Sequence, residues 1–296
     1  MKAAPFAYFR PASLEEAAER LGSNADDGAM ILAGGQSLVP MMALRVAYAS
    51  ELIDLNAING LDQVAQGNGV LSVPSLVRHA DFHRPSVARG PLGQALATLS
   101  RQIAHYPIRQ RGTFCGSLAH ADPSSEWGVL CAALDAEIEL LSATGRRRVA
   151  AADWWLGAME TVREPEDIIA AVHLPLLSDD TCWGFYEFNR RAGDFALGMA
   201  FCSYRLENGR IVAPHIALGG IEESPRRIPQ AETALKGALP DAETFEAAAA
   251  AATDAITPLE DPGTPAAYRR DLAGTVVRRA LQASAQPKRA YAEMPA

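Results

Sequence analysis

The chain has 296 residues, 49% of them apolar and 21% charged, with a net charge of −8. That length suits two domains, or three small ones, and the apolar share excludes wholesale disorder. The acidic balance argues against nucleic acid: the nearest thing to a basic stripe, Arg146-Arg147-Arg148, follows Thr144-Gly145 and reads as a solvated turn.

In chain order, Ser13 with Glu16 three residues on is a capping box, so a helix is predicted over "SLEEAAERL". "GAMILA" (28–33) is a short apolar strand. A helical turn follows over 40–45, then a strand at "ELIDL" (51–55). Residues 1–57 thus read as a small α/β unit. A second unit spans 58–177. It holds a strand region at "GVLSVPSLV", helices at 92–104 and 127–136, and strands at "EIELLSA" and "DIIAAVHLP". Asp153 before Trp154 and Trp155 reads as the cap of a helix that packs its aromatics inward. The third unit, 178–285, opens with strands, and Asn208-Gly209 marks a hairpin because both residues tolerate positive φ. Helices follow at 229–237, 241–256 and 266–282, and 286–296 reads as a tail. Strands first and helices after give an α+β class.

No segment reaches the roughly 18 to 20 apolar residues needed to span a bilayer. Pro5, Arg10 and Pro11 interrupt the N-terminus, so no signal peptide is expected. Cys115, Cys131, Cys182 and Cys202 are scattered without a CxxC, which leaves no zinc ribbon or iron–sulfur cluster to build from neighbouring thiolates. A reduced, cytoplasmic compartment is the expectation.

Three stretches invite a chemical reading. In "LAGGQSL" (32–38) a strand stops at Gly34-Gly35, where bare backbone can approach a ligand and free amides can form an anion nest; a plain tight turn is the alternative. It matches neither a Walker loop nor GxGxxG nor G-x-S-x-G. In "RQRGTFCGSLAHADPSSEW" (109–127), small and hydroxyl residues surround His120, Asp122 and Glu126. A loop at a site and a turn leading to a cap at Ser124 or Ser125 are both open. In "EFNRRAGDFALGMA" (187–200), polar residues punctuate an apolar strand region, either as a bulge at Gly193 or as a loop facing the same ligand or a partner chain. His79 and His83 lack the Glu of HExxH and read as a solvated helix face. His105 and His215 have no evident carboxylate partner, and Cys115 no His-plus-acid arrangement. No catalytic residue and no metal ligand is assigned.

Taken together, "LAGGQSLVPMMALR", "IRQRGTFCGSLAHADPSSE" and "RRAGDFALGMA" resemble the FAD-binding medium subunit of molybdenum hydroxylases, the group that includes xanthine dehydrogenase and aerobic carbon monoxide dehydrogenase flavoproteins. "AAYRRDLAGTVVRRAL" is similar to the C-terminal domain of that family. The resemblance implies a two-part flavin-binding fold of the PCMH/vanillyl-alcohol-oxidase type, followed by the CO-dehydrogenase flavoprotein C-terminal domain. FAD would lie between the first two units. Leu32, Ala33, Gly34, Gly35, Gln36, Ser37 and Leu38 would wrap its pyrophosphate, with Thr113, Gly116 and Ser117 on the diphosphate and ribityl side. His120 would lie near the cofactor, Asp122 and Glu126 by ribose or adenosine hydroxyls, and Ile103 on adenine. Ile168 or Ile169 would lie near the isoalloxazine, approached by the turn from Arg190 to Phe195 that contains Arg191. The implied role is electron transfer within a complex. A small [2Fe–2S] subunit and a large molybdopterin subunit would be partners, in a dimer of heterotrimers. Three departures stand out: Cys115-Gly116 replaces a Gly-Gly, Gln110 replaces a frequent Asn, and Tyr186 stands where the xanthine-dehydrogenase branch has Lys. Two other readings are a stand-alone flavin oxidase of the same fold, with Cys115 as the sole covalent-flavin candidate, and a flavin-free binding or assembly module.

Overall fold

The computed structural model describes residues 2–286, and the tail expected from Gln286 lies, past that residue, outside the described residues. The first unit is a three-stranded parallel sheet in the order β1-β3-β2, made of β1 (Ala7–Phe9), β2 (Ala29–Leu32) and β3 (Glu51–Asp54). Helix α1 (Leu14–Asn24) starts where the capping box places it. The Ser13 hydroxyl accepts from the Glu16 amide at 3.1 Å, and the Glu16 carboxylate reaches back to the Ala12 amide. Leu14, Ala17, Ala18 and Leu21 face the sheet. Helix α2 (Leu38–Ala43) follows the Gly-Gly loop. All three strands end at the same edge, where ligands of parallel sheets collect.

The second unit is a five-stranded antiparallel sheet in the order β4-β5-β10-β6-β7, from β4 (Ala65–Gly67), β5 (Val70–Pro74), β6 (Glu137–Ser142), β7 (Gly145–Ala150) and β10 (Ile168–Pro175). Helices α3 (Gly90–Gln102), α4 (Tyr106–Arg109), α5 (Phe114–His120) and α6 (Glu126–Ala133) precede β6, and a small hairpin, β8 (Trp155–Gly157) and β9 (Glu160–Thr161), follows β7. Three expectations are corrected here. The arginine triplet is not a turn but part of β7, paired to β6, where Arg146 meets Glu139 at 2.7 Å and Glu15 at 3.0 Å, Arg147 meets Asp167, and Arg148 meets Glu137 at 3.0 Å. Asp153 caps no helix: it ends a single 3-10 turn, Trp154 is buried with its indole donating to the Leu118 carbonyl, and Trp155 opens β8. The Gly- and Ser-rich stretch is not one loop, because α5 runs through it.

The third unit is the antiparallel sheet β11 (Cys182–Phe188), β12 (Gly198–Glu207), β13 (Arg210–Gly219) and β14 (Arg226–Arg227), backed by α7 (Pro229–Leu235), α8 (Ala242–Asp254) and α9 (Ala266–Ser284). Asn208 and Gly209, at φ 51° and 75°, form the expected hairpin turn. One face of this sheet packs on α7 to α9. The other contributes Trp183, Met199, Phe201 and Ala217 to the core of the second unit. That shared core fixes the third unit against the second.

Candidate functional site

The first loop is shaped by two glycines with different duties. A Cβ on Gly34 would lie 2.5 Å from the Arg111 carbonyl oxygen and 2.8 Å from the Gly112 Cα, so only glycine lets the first and second loops touch. Gly35 sits at φ 69°, the left-handed region that favours glycine. The Gln36 side chain donates to the Gly34 carbonyl at 3.1 Å and closes the turn. Among the described residues, the amides of Gly34, Gly35, Gln36 and Ser37 meet no protein acceptor. Successive free amides at a turn make an anion nest.

Gly34, Gly35 and Gln36 border a cavity of about 310 Å³, lined as well by Leu32, Ala33, Val39, Pro40, Asp54, Asn56 and Arg111. Five of the predicted residues are therefore gathered at one place. Ser37 and Leu38 continue from it into α2; the Ser37 hydroxyl makes no cap bond, and Leu38 packs beneath the helix.

The second loop is anchored from behind. The stretch around Thr113 pairs with that around Arg78, the His79 amide donating to the Gly112 carbonyl and the Phe114 amide to that of Val77, each at 3.0 Å. Thr113 is buried, and its hydroxyl accepts from the Gly116 amide at 3.0 Å as the cap of α5. Gly116 and Ser117 are half-buried on that helix, and His120 lies in its last turn before Ala121 turns left-handed at φ 54°. Cys115 lies in α5, outside the positive-φ region, so the Cys-for-Gly departure costs the backbone nothing. Asp122 accepts from the Ser124 amide at 2.8 Å.

His79 is not on a solvated helix face. It is buried in a 3-10 turn, its Nδ1 accepting from the Trp127 indole at 2.9 Å. Burial pulls its pKa down to about 3, so it is neutral. His215 likewise has a carboxylate neighbour, Asp135 at 3.9 Å, and is bonded to the Ala133 carbonyl at 2.7 Å.

Other predicted residues lie elsewhere. Ile103, Ile168 and Ile169 are buried in apolar cores, and none of them lines the cavity. Glu126 opens α6 opposite Glu187 of β11. Burial, then the Glu187 charge, raises the Glu126 pKa well above its usual range, and burial raises that of Glu187 to about 7. The second carboxylate oxygen of Glu187 has no partner. Arg191 is exposed in its turn, whereas Arg190 reaches Thr264 at 3.0 Å.

Sequence reasoning did not single out Asp54, Asn56, Arg78 or Arg111. Burial pushes the Asp54 pKa up, but hydrogen bonds from the Tyr8 hydroxyl and from Asn56 outweigh it and hold the carboxyl below its usual range. The signal was a polar pair, Asp54 and Asn56, straight after an apolar strand. Arg78 and Arg111 lie close enough for each charge to act on the other. Arg78 is spent on protein acceptors, whereas Arg111 lines the cavity, and free amides beside one guanidinium-bearing residue fit a diphosphate.

A family model described as the FAD binding domain in molybdopterin dehydrogenase matches residues 4–177, and one described as the CO dehydrogenase flavoprotein C-terminal domain matches 183–284. The chain is 36% identical to the nicotine 6-hydroxylase medium subunit of Paenarthrobacter nicotinovorans, over 95% of this chain and 98% of that one. It is 32% identical to the carbon monoxide dehydrogenase medium chain of Hydrogenophaga pseudoflava, over 94% and 96%. Among solved structures it superposes on a chain of quinoline 2-oxidoreductase from Pseudomonas putida 86 with a TM-score of 0.90 at 36% identity, covering 96% of this chain and 98% of that one. A chain of the Hydrogenophaga carbon monoxide dehydrogenase gives 0.89 at 33%, with the same coverage.

Proposed function

The chain belongs to the FAD-binding medium subunits of molybdenum hydroxylases, and from that premise we propose that it is the electron-transfer subunit of such a complex. The observation that carries the reading is the row of free amides at Gly34–Ser37, beside a cavity that Gly34, Gly35, Gln36 and Arg111 line together. FAD, when bound, would supply the redox chemistry that links the [2Fe–2S] clusters of a small partner subunit to an external acceptor. In this reading the amides of Gly34, Gly35, Gln36 and Ser37 hold the pyrophosphate, with Gly116 and Ser117 beside them on α5. Thr113 acts through its cap of α5. In the same reading His120 lies near the cofactor, Asp122 and Glu126 serve ribose or adenosine hydroxyls with Ile103 on the adenine side, and Ile168 or Ile169 and the turn that carries Arg191 belong to the isoalloxazine side. The substrate site would lie in a large molybdopterin subunit, and the assembly would be a dimer of heterotrimers.

Among the described residues no helix is long and apolar enough to cross a membrane, and no group of His, Cys, Asp and Glu could hold a metal ion. Among the described residues no cysteine is joined in a disulfide, in keeping with a reduced, cytoplasmic setting. The stand-alone oxidase has less support. Burial pushes the Cys115 thiol up, and its sulfur lies 3.5 Å from the Val73 carbonyl and 3.6 Å from that of Pro74, a poor nucleophile for covalent flavin attachment.

The test is co-purification of the tagged chain from its native host. Two unequal partners, one carrying iron and one molybdenum, are expected, with FAD released by acid. Purification of the chain with FAD but without either partner would defeat the complex; purification without FAD would defeat the flavin role.

A further inference from the structure

The two loops of the clamp come from different units, so something must set the gap between them. The first loop leaves β2, and the second is pinned to the chain segment after β5. One run of side-chain hydrogen bonds crosses from one to the other. The Asn56 carboxamide nitrogen donates to the Ala33 carbonyl at 2.9 Å, at the root of the first loop. Its oxygen accepts from the Arg78 guanidinium, which also donates to the Arg111 carbonyl in the second loop. Behind Asn56 stands Asp54, which accepts from both the Asn56 amide and its carboxamide and is itself held by the Tyr8 hydroxyl. The run therefore ties β1, β3, the first loop and the second loop. Behind the loops, Ala33 packs on an apolar core that joins Ile53 of the first unit to Leu76 and Ile168 of the second; at the loops themselves Gly34 lies against Arg111 and Gly112, which limits approach but does not pull them together.

We infer that Asn56 and Arg78 are positioning residues of the FAD clamp: Asn56 lines the cavity but commits both ends of its carboxamide to protein, and the pair fix the separation of the two loops and so govern cofactor affinity through the backbone they hold. The inference rests on the FAD reading above. Asn56 uses both ends of its carboxamide on protein, and Arg78 divides its two terminal nitrogens between Asn56 and Arg111, so both act through the backbone they hold. An Asx turn after β3 would need only the Asp54 carboxylate and the Asn56 amide. The additional reach of the Asn56 side chain to Ala33 and Arg78 is what makes the link a cross-brace.

The experiment is an FAD titration of the deflavinated full-length chain, followed by flavin fluorescence. Asn56→Ala and Arg78→Met are each expected to weaken FAD at least about fivefold, and the double variant no more than about threefold beyond the weaker single one, because the bonds act in series. The deflavinated variants should melt no lower than Arg227→Met, which breaks the pairs of Arg227 with Glu232 and Asp135, residues with no part in the clamp, and should leave FAD affinity unchanged. If either variant does not fold, Asn56→Ser or Arg78→Lys replaces it with the same expected loss, since a lysine cannot serve two acceptors in the arginine fork's geometry. A loss below about fivefold, a double effect equal to the product of the singles, or an equal loss in Arg227→Met would overturn the brace. A wild-type chain that binds no FAD would overturn the FAD reading itself, and the brace with it.

Discussion

The two loops that meet at Gly34 and Gly112 are built on opposite plans. The first leaves four successive amides without protein acceptors and keeps its side chains short or turned back on itself, as Gln36 does on Gly34. The second ties down its backbone: Gly112 and Phe114 bond to the segment around Arg78, and Thr113 caps α5. Behind it stand Phe114 and Trp127, stacked at 4.7 Å between ring centroids, and the neutral His79. The contrast suggests a division of labour. In the proposed reading the first loop grips an anion with backbone, and the second is the wall against which it grips. Polar groups left open in a folded chain mark a place for a ligand, whereas polar groups closed on one another mark structure.

Substitutions can break that contrast. The largest effect is expected from Gly34→Val, whose side chain would enter the space of the Arg111 carbonyl. FAD should weaken by more than about a hundredfold, roughly 3 kcal/mol, in an equilibrium titration, with far-ultraviolet dichroism unchanged. Next is Gly112→Ala, whose Cβ would sit 2.6 Å from His79 Nε2. It should cost ~1–3 kcal/mol of stability by urea denaturation, because the buried His79–Trp127 contact must shift. A smaller loss, ~1 kcal/mol, is expected for Thr113→Val through the lost cap, with FAD affinity within about twofold of wild type. A larger effect on FAD would assign the Thr113 hydroxyl to the cofactor and dissolve the contrast.

The smallest effect concerns the end of the second loop, where Glu126 faces Glu187. Glu187 is raised in the folded chain from 4.5 to about 7, so its stabilising contribution is complete below the lower value and is lost as pH rises through the upper one. Between about pH 5 and about pH 8, Glu187→Gln should flatten the fall in the urea midpoint without abolishing it, since Glu126 is raised as well. An unchanged slope would remove Glu187 from the titration.

Much of this molecule is legible in its sequence, and the reasons are local. Ser13 with Glu16, the Asn208-Gly209 hairpin and the Gly34-Gly35 break each act over a few residues. Strand β1 was not, because "AYF" is too short to show a period and exists by pairing with β3. Helix α5 hides behind Gly116 and Ser117; what makes it a helix is the Thr113 cap and the burial of Phe114, Cys115 and Leu118. The arginine triplet becomes a strand because β6 offers Glu137 and Glu139 as partners. Around the cavity, the glycines announce themselves, but Asn56 and Arg78 do not. Their meaning lies in a link between Ala33 and Arg111, which only the fold creates.

The central claim is that bare backbone at Gly34–Ser37 holds FAD. The most direct test is the amount of FAD released by acid from the purified wild-type chain and from Gly34→Val. About one FAD per wild-type chain, and almost none in a folded Gly34→Val, is the expected result. FAD retained by Gly34→Val at the wild-type level would contradict it.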